Sequence, residues 1–235
     1  MRTLVTATLV GTALVLMAGC TAFPDPNPRP DQGADDDHLE DPVSVDRGSA
    51  DDATLSLTGR ATSITISTDA PAGDLLEVSA TGPDGRPGID DSGDTRVVVL
   101  DGGAAVVRLA DDVAWTIDLS AGADTVDADL DDTTLSGLVL DGGARSVELT
   151  LPAPTGAVPI DQRAGADHLV LHLPETAAAR VTVTSGAGSA DIDGETTQGI
   201  GPGTVLTTDG FAEDDDRYEV AVAGGLGSLT IDRAG

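Results

Sequence analysis

Residues 138–149 read Leu138-Val139-Leu140-Asp141-Gly142-Gly143-Ala144-Arg145-Ser146-Val147-Glu148-Leu149. Leu138 and Leu140 alternate with a partner on the other face of the chain. Beyond the glycines, Val147 and Leu149 alternate with Ser146 and Glu148. Period-two alternation on both sides of a flexible corner predicts two short β-strands that bury one face and expose the other.

The pattern repeats along the chain. With Gly143-Ala144 as the pivot, Gly103-Ala104, Gly122-Ala123, Gly165-Ala166 and Gly186-Ala187 join it at spacings of 19, 21, 22 and 21 residues. Gly225-Leu226 follows after 39 residues and Arg60-Ala61 precedes by 43, each close to two periods. Four apolar columns then align. Five before the pivot stand Leu55, Val98, Ile117, Leu138, Ile160, Val181 and Val220; three before it stand Leu57, Leu100, Leu119, Leu140, Gln162, Val183 and Val222. Four after it stand Ile64, Val107, Val126, Val147, Leu169, Ala190 and Leu229; six after it stand Ile66, Leu109, Ala128, Leu149, Leu171, Ile192 and Ile231. Gln162 is the one polar residue among these 28 positions. Arg60 replaces glycine at the first pivot.

One unit cannot fold alone. Four buried aliphatics contribute roughly 6–12 kcal/mol, whereas ordering some 20 residues costs roughly 20–40 kcal/mol of backbone entropy. Stacking the units buries their faces and pairs their edges, so residues 51–235 are expected to form an all-β domain, a β-solenoid like a parallel β-helix, with coils of about 20 residues and a Gly-Ala pivot. The rival architecture is an antiparallel hairpin-repeat sandwich, because Asp101-Gly102-Gly103 and Asp141-Gly142-Gly143 also suit tight hairpin turns. Register kept over seven units favours the solenoid. Residues 75–96 and 194–216 depart from the pattern and are expected to be loops or irregular coils.

Ahead of this domain the sequence has a different character. Arg2, the uncharged stretch Leu4 to Met17, small Ala18 and Gly19, and then the sole cysteine, Cys20, read as a lipoprotein signal peptide over 1–19 with Cys20 as the lipidated residue. A 14-residue apolar stretch is too short for a stable transmembrane span, and two or three acyl chains on Cys20 would anchor the protein firmly. Residues 20–50, with Pro24, Pro26, Pro28 and Pro30 followed by Asp35-Asp36-Asp37 and Glu40-Asp41, read as a disordered, extended linker. The expected location is the extracytoplasmic face of a cell membrane.

The chain of 235 residues has 41 acidic and 12 basic side chains, all of the latter Arg, for a net charge of −29. Absence of Lys alongside abundant Ala, Gly, Asp, Val and Thr points to a GC-rich, actinobacterial genome. Such a surface repels phosphate backbones and argues against nucleic acid as a partner.

Candidates for chemistry are sparse. His168 and His172, four apart on one strand face, would lie roughly 13 Å from each other, too far to share a metal, and are expected to be solvated. His38 falls in the acidic linker. Asp124, Asp127, Asp129, Asp131 and Asp132 supply oxygens of the kind calcium takes, without the nine-residue spacing of calcium-binding β-rolls. No metal site and no cofactor are therefore predicted. A hydrolase triad lacks its parts, and one Trp, one Tyr and two Phe offer little platform for sugar rings. Trp115 is expected at a packed end of the core, and Phe211 and Tyr218 are expected to pin the acidic loop Glu213 to Asp216. No enzymatic activity is predicted.

Trp115-Thr116-Ile117-Asp118-Leu119, Val139 to Ala144 with Leu149-Thr150-Leu151-Pro152, Leu171-His172-Leu173-Pro174 and Tyr218-Glu219-Val220 with Gly224-Gly225 together resemble the β-repeat domains called "putative adhesin" or toast-rack domains. Similar repeats form the carboxy-terminal part of cell-wall-stress regulators of the LiaF type. The resemblance covers about residues 97–235 and, weakly, 51–96. It implies a β-solenoid-like fold and an envelope setting, and it carries over no catalytic residue. The expected role is that of a cell-surface lipoprotein presenting an acidic solenoid as a non-catalytic adhesive or structural module, and the alternative is an accessory of an envelope-stress signalling system. Expected partners are the membrane through the lipid, an envelope protein or cell-wall polymer, and further copies meeting at the solenoid ends.

Overall fold

The computed structural model describes residues 41–81, 87–91, 93, 95–213 and 215–233. The signal peptide, Cys20, His38 and residues 20–40 of the linker lie outside the described residues. Those described belong to one unit, Asp37–Gly235. They form strands and turns without a helix.

In chain order the strands are β1 (Val43–Asp46), β2 (Asp52–Ser67), β3 (Asp74–Ala80), β4 (Gly88–Asp90), β5 (Thr95–Asp101), β6 (Ala104–Leu109), β7 (Ala114–Leu119), β8 (Gly122–Asp129) and β9 (Thr134–Leu140). Then come β10 (Ala144–Thr150), β11 (Ala157–Gln162), β12 (Ala166–Leu173), β13 (Ala178–Val183), β14 (Ala187–Ile192), β15 (Glu195–Ile200), β16 (Thr204–Thr207), β17 (Arg217–Val222) and β18 (Leu226–Arg233). The repeat units are coils. Coil 1 is the long strand β2, and coils 2 to 5 are β5–β6, β7–β8, β9–β10 and β11–β12. Coil 6 is β13–β14 and coil 7 is β17–β18.

Neighbouring coils pair parallel along both of their strands. That excludes the hairpin sandwich, in which consecutive strands would pair antiparallel. Antiparallel pairs occur where strands cap the two ends: β4 on β5, β3 on β6 and β1 on β3 at one end, and β16 on β13 and β15 on β14 at the other. The stretches expected to be loops or irregular coils, 75–96 and 194–216, thus hold the capping strands β4, β15 and β16 and all but the first residue of β3. Their reading failed because a capping strand has a core on one side only and need not repeat the coil pattern. Strand β1 also begins ahead of residue 51, and it tucks Val45 into the core.

All 28 column positions are buried, none more than 8% exposed, in one continuous core. Ladder pairs reproduce the columns rung by rung: Leu55 with Ile117, Ile117 with Leu138, Leu138 with Ile160, Ile160 with Val220, and Val220 with Val181. Coil 2 is the exception. It pairs Val98 with Leu57 rather than Leu55, and Val107 with Ile66 rather than Ile64. A slide of two residues keeps the inward parity, so the aliphatic face survives it.

The order of coils in space departs from the order in sequence. Pairings place coil 1 between coils 2 and 3, and coil 7 between coils 5 and 6. The stack therefore runs 2-1-3-4-5-7-6. Repeats of equal length and composition carry no label of their neighbours, which is why periodicity alone implies a sequential stack.

Gly103 and Gly186 need to be glycine, with φ 74° and 112° and, at Gly103, the Thr81 carbonyl oxygen 1.8 Å from where a Cβ would sit, but the pivots Gly122, Gly143 and Gly165 are undemanding. A Cβ on Gly122 would meet the Gly143 carbonyl at 3.8 Å, an ordinary contact, and Arg60 occupies the same rung as Gly122. On Gly142 a Cβ would sit 2.0 Å from the Ala121 carbonyl oxygen, and on Gly224 it would sit 2.1 Å from that of Ala164. Close stacking of one corner on the next is what glycine permits here. Arg60 at the first pivot is thereby accounted for.

Candidate functional surfaces

A solenoid filled by aliphatics has its polar chemistry on the outer faces of its two sheets. On the face formed by the second strand of each coil, His172 of β12 lies in register between Thr150 of β10 and Asp232 of β18. Its Nδ1 is 2.5 Å from Asp232 Oδ1, and its Nε2 is 3.1 Å from Glu148 Oε1. Partial burial disfavours the charged ring, but hydrogen bonds and charge from Asp232 and Glu148 outweigh it and raise its pKa above the ordinary histidine value. The expectation of a solvated His172 is corrected: the ring is a half-buried clip across coils 4, 5 and 7. Its sequence signal was weak, because both carboxylates come from other coils.

His168 of the same strand is exposed, with Nδ1 2.9 Å from Ser228 Oγ. Among the described residues no carboxylate bonds the other ring nitrogen. The pair lacks the orienting acid of a hydrolytic triad.

The acidic stretch of β8 and its turn does not converge on a point. Asp127 and Asp129 stand on the outer face in register with Glu148 and Thr150, and Asp124 reaches Arg145 at 3.4 Å. Asp131 has its pKa raised by burial and then by the neighbouring charges of Asp129 and Asp132. Among the described residues no three His, Cys, Asp or Glu side chains are grouped to hold a metal ion.

The aromatic residues among those described are structural. Trp115 is fully buried and its indole N–H donates to the Ala110 carbonyl at 2.9 Å. Tyr218 is fully buried as well, and its hydroxyl donates to the Pro152 carbonyl at 2.6 Å. Burial of the phenol raises its pKa. Phe211 lies under the guanidinium of Arg180, whose carbon is 5.8 Å from the ring centroid. Arg180 also bonds Glu219 at 2.8 Å and Glu213 at 3.1 Å, while Arg217 bonds Glu219 at 2.5 Å. This network ties the acidic loop to coils 6 and 7. Glu219, although partly buried, has its carboxyl pKa lowered by both guanidinium groups.

Asp193 has φ 51°, a conformation that favours glycine, between β14 and β15. Its carboxylate holds Arg233 at 3.0 Å and accepts the Asp209 backbone N–H at 2.9 Å. The partners balance the backbone strain and lower its pKa despite partial burial. Its role is to fasten the end of coil 7 to coil 6.

Fold and surface define the class: a β-solenoid repeat domain with a continuous aliphatic interior and acidic outer faces. The chain is similar to the crystal structure of a "putative cell adhesion protein" from Clostridium sporogenes ATCC 15579, with a TM-score of 0.64 and 17% sequence identity, over 83% of this chain and 98% of that one. At that identity the likeness shows the fold. No family model and no curated protein matches the sequence.

Proposed function

We propose that this protein is a lipid-anchored, extracytoplasmic surface module that acts by adhesion or scaffolding without catalysis. Cys20 carries the lipid, residues 20–40 act as the tether, and the solenoid presents its acidic faces to a wall polymer or an envelope protein. The observation that carries the reading is the division of the domain into an unbroken aliphatic core and flat polar sheet faces, with each histidine and aromatic side chain described above occupied in holding strands together. Similarity of fold to a protein described as a "putative cell adhesion protein" supports it. So does the lipoprotein-like sequence around Cys20.

The test is expression of the full chain in a host that processes lipoproteins, with a labelled fatty acid, followed by capture from intact envelopes. Label on the protein, lost in Cys20→Ser, together with recovery of wall polymer or a structural envelope protein, is the expected result. Absence of label refutes the anchor. Turnover of an envelope glycan or peptide by the protein refutes the non-catalytic role.

A further inference from the structure

In a chain with 41 acidic residues, the run Thr196 to Thr208 carries no charge and is the longest such run after residue 24. It spans most of β15, the turn after it and all of β16, the two capping strands beyond coil 6. Strand β16 pairs with β13 and with no second strand among the described residues. The Thr208 N–H donates to the Ala179 carbonyl at 3.0 Å. Alternation along an antiparallel ladder then turns the backbone groups of Leu206 and Thr204 toward β13 and those of Val205 and Thr207 outward. Val205 is 55% exposed, one of two large aliphatics so exposed among the described residues. Leu206 borders a recess of about 130 Å³ between the two sheets, together with Ala190, Ile192 and Thr197.

Uncharged open edges are the feature that other proteins block with Lys, Pro or a covering element. Here the edge is left open at an end where the chain repels itself least. The opposite end presents Asp46 on β1, and the sheet faces present Asp127, Asp129 and Glu148, so like copies meet there carboxylate to carboxylate.

We infer that β16 pairs with β16 of a second copy across a two-fold axis, joining two solenoids at their coil 6 ends. Antiparallel pairing through the outward groups sets Val205 against Thr207 of the second copy, and Leu206 against its own counterpart. About four hydrogen bonds form. In that register Asp209 faces Gly203, so no carboxylates stand opposite each other on the edge. Glu195 and Asp209 flank the recess, and screening their charge strengthens the association. A four-residue edge buries less than the ~1,200 Å² of a stable interface, so the dimer is weak and concentration-dependent. The inference is independent of the adhesive reading, because it rests on the edge alone.

Across the two-fold axis Leu206 and its counterpart form a non-hydrogen-bonded pair with Cα atoms about 4.5 Å apart, within the Cα span of a disulfide. The full chain carrying Cys20→Ser and Leu206→Cys is expected to give a disulfide-linked dimer on mild oxidation, in higher yield at high salt. Cys20→Ser with Ile89→Cys, at the opposite end, stays monomeric. Adding Val205→Glu to Leu206→Cys lowers the dimer yield at least fivefold. Sedimentation of the Cys20→Ser chain, which leaves Leu206 in place, gives an average mass that rises with concentration and stops rising in Val205→Glu. Equal cross-linking at positions 89 and 206, a yield indifferent to Val205→Glu, or a monomer at every concentration overturns the inference.

Discussion

The imidazole of His172 is 2.5 Å from the carboxylate of Asp232, sixty residues away in sequence and adjacent in the stack because coil 7 lies beside coil 5. With Glu148 on the other ring nitrogen, the clip is strongest when the ring carries a proton. The groups facing it are Glu148 and Thr150 from β10, Asp232 from β18 and His168 on its own strand.

A raised folded-state pKa fixes the sign of the pH dependence. The stabilisation from His172 is complete below its unfolded pKa near 6.5 and is lost as pH rises through the folded value, which lies above that. The melting temperature is expected to fall as pH rises from about 6 into the mildly alkaline range, and His172→Gln should flatten this dependence. Glu219 and Asp193 act in the opposite direction. Their lowered pKa values give stability that is present above about pH 4 and lost as pH falls further. Thermal unfolding followed from pH 3 to 9 checks both limbs.

Two glycines in equivalent corners should respond differently to the same change. Gly142→Ala forces a Cβ onto the Ala121 carbonyl oxygen and is expected to cost about 1–3 kcal/mol. Gly122→Ala adds a Cβ in ordinary contact and should be neutral, or stabilising by up to about 1 kcal/mol, through reduced freedom of the unfolded chain. Urea unfolding of the two variants decides it. Equal destabilisation would mean that the pivot position itself requires glycine.

The difference between those glycines also shows where the sequence was readable. Alternation reported each column residue's burial, because a strand with one buried face has no other way to place its aliphatics. Gly-Ala spacing located the corners. It could not say which glycine of Gly142-Gly143 is indispensable, since that depends on the carbonyl of the coil beneath. The His172–Asp232 contact was illegible for a related reason: coils 5 and 7 are neighbours only in the 2-1-3-4-5-7-6 order. The Asp193–Arg233 pair lies at the ends of coils 6 and 7, outside the aliphatic columns that the periodicity reports.

Gln162 is the polar residue in the aliphatic columns. It is buried between Leu140 and Val222, where its side-chain N–H donates to the Ala164 carbonyl and its Oε1 has no partner. Leaving a buried acceptor unsatisfied costs about 1–3 kcal/mol, more than the roughly 1 kcal/mol that the one hydrogen bond contributes. Gln162→Met fills a similar volume without the orphan oxygen and is expected to raise the melting temperature by a few degrees. A fall would show that the Ala164 bond governs the corner.

Tyr218 is the only tyrosine, so its hydroxyl can be followed without interference. Tyr218→Phe removes the donor to the buried Pro152 carbonyl and should cost about 1–2 kcal/mol in urea unfolding. In the native chain burial holds the phenol un-ionised into strong alkali. Phenolate absorbance is therefore expected to appear together with alkaline unfolding, not before it. Titration near the ordinary value of a free tyrosine in the folded protein would contradict the buried placement.

Coil 7 is the last coil in the sequence and yet has a coil on each side. In a sequential solenoid, deleting the final repeat shortens the stack by one rung and leaves a folded remainder. Here a chain ending at Asp209 leaves coils 5 and 6 two strand spacings apart, about 9–10 Å, with no strand between them. It also loses the Tyr218 bond to Pro152, the Arg180–Glu219 pair and the Asp193–Arg233 pair. Cooperative thermal unfolding is expected to disappear in this truncation, with exposed apolar surface that binds a hydrophobic dye. A cooperative transition with a proportionately smaller denaturant slope would mean instead that coil 6 slides down to pair with coil 5. The matching parity of Val181 and Ile160 makes that the specific alternative the measurement separates.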